Sequence, residues 1–574
     1  MSTLLDARTL HHLLLVPILL PMLVAACMML LSEDRHRIKM LLNVGSCLVL
    51  LVVSSVLLEQ TRHAGAAQAL GVYLPGNWQA PFGIVLALDR LSALMLLLTS
   101  VVALAASLFA CARWHRAGVH FHPLFQLQLM GLAGAFLTAD LFNLFVFFEV
   151  TLAASYGLLL HGSGKARVLA GMHFIAINLV ASSLFLIGVS MLYGITGTLN
   201  MADLSQHIAA VRPADRGLLH AAAGILGTAF LIKAAVWPLN FWLVPAYSAA
   251  TAPVAALFAL MTKLGVYSVL RLWTLMFGAD AGVSAGFGSL WLVGAGMVTM
   301  AFGAIGMLGS QRLGHLAGYA ALLSSGTVLA AGGFGQNMLT GGMLYYLPGS
   351  TLAISALFLL GDVLDRWRNP LDGADPYEPR SEEAPFLNAK LEYTRNFNLD
   401  ENEEAVVGRP IPAAAAFVGV AFLACTLMLS GMPPLSGFVG KFAMLSALLN
   451  PLGLVASAGQ QLGSVGWMFM ALLIGCGFLA LTGLVRAGIA HFWSAHEKRP
   501  LRLGWVEGLP IGMLVIACVL LATAAGPALH FTQAAADALH APKAYVSAIL
   551  NAQPVPSLAA GSMDGKNDVG DNTP

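Results

Sequence analysis

The stretch FLIKAAVWPLNFW, Phe230 to Trp242, places a lysine, Lys233, and then a helix-breaking proline, Pro238, inside a long apolar run. The chain around it has 574 residues, 58% hydrophobic and only 10% charged, with a mean hydropathy of +0.79. Soluble domains carry roughly 25% charged residues, so this is the composition of an integral membrane protein. Apolar stretches of about 20 residues recur from end to end, continuous rather than alternating, which predicts membrane helices and argues against a β-barrel.

About 14 spans are long enough to cross a bilayer. They run over 13–31, 40–58, 83–111, 123–138, 140–160, 168–194, 218–243, 251–273, 287–308, 313–333, 338–361, 411–448 (broken), 466–490 and 508–526. The run from Leu13 lacks a basic leader and a cleavage site, so it is expected to be a first membrane helix rather than a signal peptide. Basic residues concentrate in alternate loops, at Arg35, Arg37 and Lys39, at Arg113 and Arg116, at Lys165 and Arg167, at Arg312, and at Lys498, Arg499 and Arg502. By the positive-inside rule those loops are cytoplasmic and both termini periplasmic. One loop, 365–409, is polar and mostly acidic; it is expected to be a cytoplasmic insertion, either a solvated linker or a docking surface. The residues from Pro554 onward are expected to be a disordered tail.

Six cysteines lie scattered without a CxxC, and sixteen histidines form no HExxH, so neither a metal nor a cofactor is expected. No phosphate-binding or nucleophilic motif is present, and a net charge of +1 gives no reason to expect a nucleic-acid partner.

An internal echo carries more. WPLNF at 237–241 resembles PPLSGF at 433–438, each at mid-membrane on the seventh and twelfth spans. Five-span units with matching breaks would be inverted relative to one another, as in many ion-coupled transporters. Four charged residues fall near span centres: Glu149, Lys233, Lys263 and Lys441. Each costs roughly 2.5–3.5 kcal/mol to insert. A desolvated lysine, unlike arginine, can release its proton. Glu149 and Lys233 therefore form a candidate switch, with Pro238 opening a deformable, hydrated site beside them. With one carboxylate for three lysines, a purely structural set of salt bridges is the weaker expectation. His315 and Tyr319, four apart on one helical face, are candidate secondary relay residues. Asp89 and Arg90 are expected to neutralise each other, Asp140 to have a capping or interfacial role, Arg271 and Arg486 to snorkel, and His173 to be interfacial or structural.

The segments FFEVTLAASYGLLL, GITGTLNMADL, GMPPLSGFVGKF and the long run from Ile232 to Leu272 resemble the antiporter-like subunits shared by multi-subunit cation/proton antiporters and respiratory complex I. The closer likeness is to the D-type subunits of Mrp/Pha-type monovalent cation (K+ or Na+)/proton antiporters, favoured by the acidic insertion ending NEEAVVGRPIPAA and by the lack of an extended lateral helix. The resemblance covers roughly 80–526. It implies an all-α polytopic fold of about 14 transmembrane helices, two inverted five-helix repeats and discontinuous helices 7 and 12. The divisions would be 1–122 for helices 1–3, 123–273 for the first repeat, 274–490 for the second with its insertion 365–409, and 491–574 for the last helix and tail. It implies a proton relay through Glu149, Lys233, Lys263 and Lys441, and a role only within a hetero-oligomeric complex in the bacterial inner membrane, surrounded by lipid. Gly349 departs from the pattern, standing where many relatives are expected to carry a histidine. The expected function is proton translocation in a cation/proton antiporter; alternatives are a proton-pumping subunit of a redox complex (NADH:quinone oxidoreductase or membrane-bound hydrogenase) and an assembly scaffold. In the favoured case the chain is a transporter subunit, not an enzyme, and the cation crosses elsewhere or at a subunit interface.

Overall fold

The structure is a computed structural model that describes residues 12–63, 70–116, 118, 120–368, 412–450, 462–492, 501 and 503–555. Most of the acidic insertion and the polar tail beyond Val555 lie outside the described residues; Asp365 to Arg368 end a helix. The chain is a bundle of helices, of which eleven among the described residues are long and apolar enough to cross a membrane. In chain order all the α-helices of the bundle among the described residues are α1 (Val16–Leu30), α2 (His36–His63), α3 (Arg90–Ala110), α4 (Phe121–Leu137), α5 (Leu141–Leu159), α6 (Lys165–Thr196), α7 (Met201–Ala210), α8 (Arg216–Lys233), α9 (Leu243–Ala249), α10 (Ala252–Met276), α11 (Ser289–Gly309), α12 (Leu313–Gly333), α13 (Asn337–Arg368), α14 (Ala413–Ser430), α15 (Ser436–Leu449), α16 (Ser464–Phe492), α17 (Trp505–Thr523), α18 (Ala525–His540) and α19 (Lys543–Leu550).

Two features were not expected. The start of the third predicted span is a strand, β2 (Leu86–Leu88), paired antiparallel with β1 (Gly71–Tyr73) in the register Gly71 to Leu88. A short apolar run such as LAL cannot be assigned by periodicity alone. Beyond the last apolar span, α18 and α19 fold back onto the bundle, α18 against α13 and α19 against α7. Their mixed polarity is that of half-buried surface helices, which a search for membrane spans passes over.

Burial sorts the helices. In α10 and α13, 94% of the apolar window is buried inside the chain, against 39% in α2, α6 and α16. The latter present Leu41, Leu169, Ile187 and Phe478 outward, the apolar belt that a lipid-facing helix requires. Side-chain carboxylates cap helices where the chain re-enters: Asp89 accepts from Ser92 N at 2.8 Å, and Asp140 from Asn143 N at 2.8 Å. Asp140 is therefore the cap its position in the sequence suggested.

Two spans are broken at the expected prolines. α8 stops at Lys233; Ala235 takes a left-handed conformation (φ 54°), and the chain resumes as α9. Pro238 has no N–H, and the groups around the break find other partners. Trp237 N–H donates to Thr299 Oγ1 at 2.9 Å, and the Trp242 indole donates to Ile232 O at 3.3 Å. The second break, Gly431 to Leu435, separates α14 from α15 around Pro433 and Pro434.

The expected Asp89–Arg90 pairing does not form. Asp89 accepts two hydrogen bonds from Arg271, at 2.6 and 2.7 Å, and both side chains are buried. Arg271 therefore does not snorkel. Tyr545 of α19 lies 5.1 Å from its guanidinium and closes over the pair. Arg90 instead donates to Thr61 O at 3.2 Å. A fork-to-fork pair of this kind joins α3 to α10. Arg271→Leu should destabilise the protein by about 3–5 kcal/mol, because it strands a buried carboxylate. Asp89→Asn with Arg271→Met should recover most of that loss in thermal unfolding of the purified complex. A double variant as unstable as the single would mean that the packing, not the charge, holds this end together.

Candidate functional site

The four central charges lie on helices brought together by the two breaks. Lys233 is the last residue of α8, at the negative end of the helix dipole. Its ammonium lies 4.8 Å above the ring of Phe148, a contact worth about 0.5–2 kcal/mol. Glu149, the next residue on α5, acts on Lys233 electrostatically, yet no ion pair within 4.0 Å joins the two among the described residues. Its carboxylate instead accepts a short hydrogen bond from the hydroxyl of Ser182 on α6. The candidate switch is thus seen in a separated arrangement, with acid and base each held by a different neighbour.

Lys263 on α10 is completely buried. Its ammonium donates to Ser324 Oγ at 2.8 Å and to Ser325 Oγ at 3.1 Å, both on α12. Ser324 shares a 2.8 Å hydrogen bond with Ser350 on α13. Tyr346, also buried, lies one turn before Ser350 on α13. α10 reaches the break through Gly265: a side chain there would strike the backbone of Lys233 and Ala234, with Ala234 N only 2.6 Å from the added carbon.

Lys441 on α15 is buried as well and donates to Ser430 O at 2.8 Å. Ser430 is the last residue of α14. Both break lysines therefore meet the negative end of a half-helix: Lys233 terminates its own, and Lys441 reaches back to the one before it. A file of polar groups leads from Lys263 through Ser324 on α12 to Ser350 on α13, and α16 passes so close to Lys441 that a side chain at Gly477 would come within 2.9 Å of its ammonium. Gly349 lies beside this file and adds nothing to it. A side chain there would come within 2.9 Å of Ser436 Oγ and 3.2 Å of Met428 Cε, so the space that a histidine would occupy is filled by α14 and α15.

The remaining candidates stand apart. His315 lines a cavity at one end of the bundle, and Tyr319 packs against Gly306 and Phe302. Neither hydrogen-bonds to a central lysine among the described residues. Arg486 caps α11 by donating to Ser310 O at 2.9 Å and, more closely, to Leu308 O. His173 bonds back to Leu169 O at 3.0 Å. Among the described residues no three His, Cys, Asp or Glu side chains converge as metal ligands would. Ser324, Ser325, Ser350 and Tyr346 were not singled out from sequence. The adjacent hydroxyls of LLSSG, inside an apolar run, are the signal that would have marked the first two.

This arrangement accompanies a sequence that can be placed. Residues 138–373 match the family model described as NADH:quinone oxidoreductase/Mrp antiporter, transmembrane. A Rhizobium meliloti protein, named as the probable D-type subunit of a K+/H+ antiporter, is 50% identical over 545 residues, covering 95% of this chain and 98% of that protein. The chain belongs to the family of D-type cation/proton antiporter subunits. The D-type subunit of a Na+/H+ antiporter from Alkalihalophilus pseudofirmus is 31% identical over 547 residues, covering 94% of the chain and 99% of that protein. The fold is also that of a chain in the Mrp complex of a Dietzia species, with a TM-score of 0.76 at 24% identity, covering 94% of this chain and 99% of that one. The protein is a transporter subunit rather than an enzyme.

Within this antiporter subunit, Ser324 bonds both Lys263 and Ser350, whereas Ser325 bonds Lys263 alone. A hydrogen bond to a charged group is worth about 1.5–3 kcal/mol. Ser324→Ala should therefore slow cation-driven proton exchange in membrane vesicles by roughly tenfold or more, and Ser325→Ala by clearly less. Equal losses would mean that no functional path runs through Ser324.

Proposed function

We propose that the chain is the proton-translocating subunit of a multi-subunit antiporter exchanging protons for a monovalent cation, K+ or Na+. The relative at 50% identity is named for K+ exchange. Glu149, Lys233, Lys263 and Lys441 form the relay. The observation that carries this reading is the setting of Lys263: a fully buried ammonium that rests on two serine hydroxyls. A lysine whose acceptors are neutral is poised to lose its proton in a way that a lysine locked to a carboxylate is not.

Motion of Glu149 towards Lys233 would favour the protonated amine, and withdrawal to Ser182 would release the proton onward. The break after α8 gives Lys233 freedom to follow, since irregular backbone at membrane depth is tolerated where it lines a polar site. The hydroxyls around Ser324 and Ser350 support transfer between Lys263 and the second half of the chain, with His315 and Tyr319 as side branches. The two breaks are equivalent points of two inverted five-helix repeats within a fold of 14 transmembrane helices. The protein works in the bacterial inner membrane among the other subunits of the complex, with both termini periplasmic. The cation crosses elsewhere or at a subunit interface, because this core offers few of the oxygen ligands that a monovalent cation needs.

The test is the collapse of a pH gradient on adding K+ or Na+ to inverted vesicles that carry the whole complex. Lys233→Ala should reduce exchange to background while the partner subunits still co-purify. Undiminished exchange would make Lys233 structural. A wild type deaf to both cations would favour the redox-driven pump instead.

A further inference from the structure

One cavity of the molecule is assigned no role by the relay. It encloses about 720 Å³ at the end of the bundle that carries the loops after α3, α5 and α11. Four arginines (Arg113, Arg167, Arg312 and Arg366) and two aspartates (Asp362 and Asp365) line it, so positive charge is in excess. The aspartates have cations beside them. Asp362 lies 3.1 Å from Arg366, although its buried Oδ2 makes no hydrogen bond, and Arg366 also pairs with Glu507 at 2.6 Å; Asp365 lies 3.9 Å from His491. Arg113, Arg167 and Arg312 have no carboxylate within ion-pair distance among the described residues. Arg167 is nevertheless held in place, donating to Ala249 O at 2.9 Å and to Ser163 O at 3.0 Å.

Neutral donors converge on the same space without a partner. Thr251 lines the cavity, is 1% exposed, and its hydroxyl makes no hydrogen bond. It precedes α10 as the residue that would normally cap it, yet it leaves the N-terminus of that 25-residue helix uncapped. Trp114 lies between Arg113 and Arg167, whose guanidinium carbons are 5.0 and 5.6 Å from its ring. Its buried indole N–H also lacks an acceptor.

We propose that this cavity binds a phosphate group, carried by an anionic phospholipid or as the free ion. Buried donors left empty carry a desolvation cost, and, Asp362 Oδ2 apart, the unsatisfied groups of this cavity are donors or cations. Planar guanidiniums match phosphate oxygens in pairs. The start of α10 adds the partial positive charge of a helix N-terminus. A basic recess between membrane helices is also a setting in which lipid headgroups lodge. The excess positive charge excludes the transported cation as the occupant. Bound phosphate would fasten α6 to the junction of α9 and α10, the second of which carries Lys263. The assignment does not depend on the route that protons take.

The test uses the assembled complex, delipidated in mild detergent, with thermal unfolding followed during titration of phosphatidylglycerol and, separately, of inorganic phosphate, against chloride at equal ionic strength. A saturable rise in melting temperature is expected. A rise with lipid alone identifies the headgroup; a rise with phosphate too identifies the free ion as sufficient. Thr251→Val, nearly isosteric, and Arg167→Gln should each weaken the apparent affinity roughly tenfold or more. Arg312→Gln, an exposed position, provides a variant with little risk to folding and should weaken it also. No saturable rise with either ligand, or a rise unchanged in all three variants, would overturn the assignment.

Discussion

A buried ammonium without a carboxylate must find negative potential elsewhere, and this antiporter subunit finds it by interrupting its helices. A continuous membrane helix satisfies its own carbonyls and offers a charge nothing. Lys233 stands at the negative end of the α8 dipole, and the carbonyl of Ser430, at the end of α14, accepts from Lys441. Lys263, on an unbroken helix, is served by the hydroxyls of Ser324 and Ser325. The insertion cost of roughly 2.5–3.5 kcal/mol per charge is thus offset at Lys263 and Lys441 by neutral dipoles, and at Lys233 by the helix end with Glu149 at longer range. Such partners hold a proton less firmly than a carboxylate would.

Two arginines, Arg271 buried and Arg486 exposed, make the contrast plain. Arg271 is clamped by Asp89 in two hydrogen bonds and covered by Tyr545. Arg486 caps a helix end. Arginine does not give up its proton, and both residues join helices to one another. The chain therefore has arginine at these two joints and lysine at its three central sites.

The membrane character, the positions of the long apolar helices, both breaks and the four central charges were legible in the sequence, because hydropathy and proline report on the one-dimensional constraint that a bilayer imposes. Partners were not. Asp89 sits beside Arg90 in sequence yet pairs with Arg271, since α3 and α10 meet only in three dimensions. The imbalance of three lysines to one carboxylate was visible, but its resolution by helix ends and serines requires knowing which faces converge. The lack of a histidine at position 349 reads as a gap in sequence; in the fold it is a site of close packing by Ser436 and Met428. The helices α18 and α19 escaped notice because amphipathic segments outside the bilayer lack the run of apolar residues that marks a span.

The measurement that bears most directly on the central claim is proton exchange by the reconstituted complex with Lys263→Arg, using Lys263→Met as the uncharged reference and co-purification of the partner subunits to confirm assembly. Arginine keeps the positive charge and can still donate to Ser324 and Ser325, but it does not release a proton at accessible pH. If Lys263 carries protons, the arginine variant will be as inactive as the methionine variant. Exchange near the wild-type rate in the arginine variant would show that only the charge matters, and the relay through Lys263 would be contradicted.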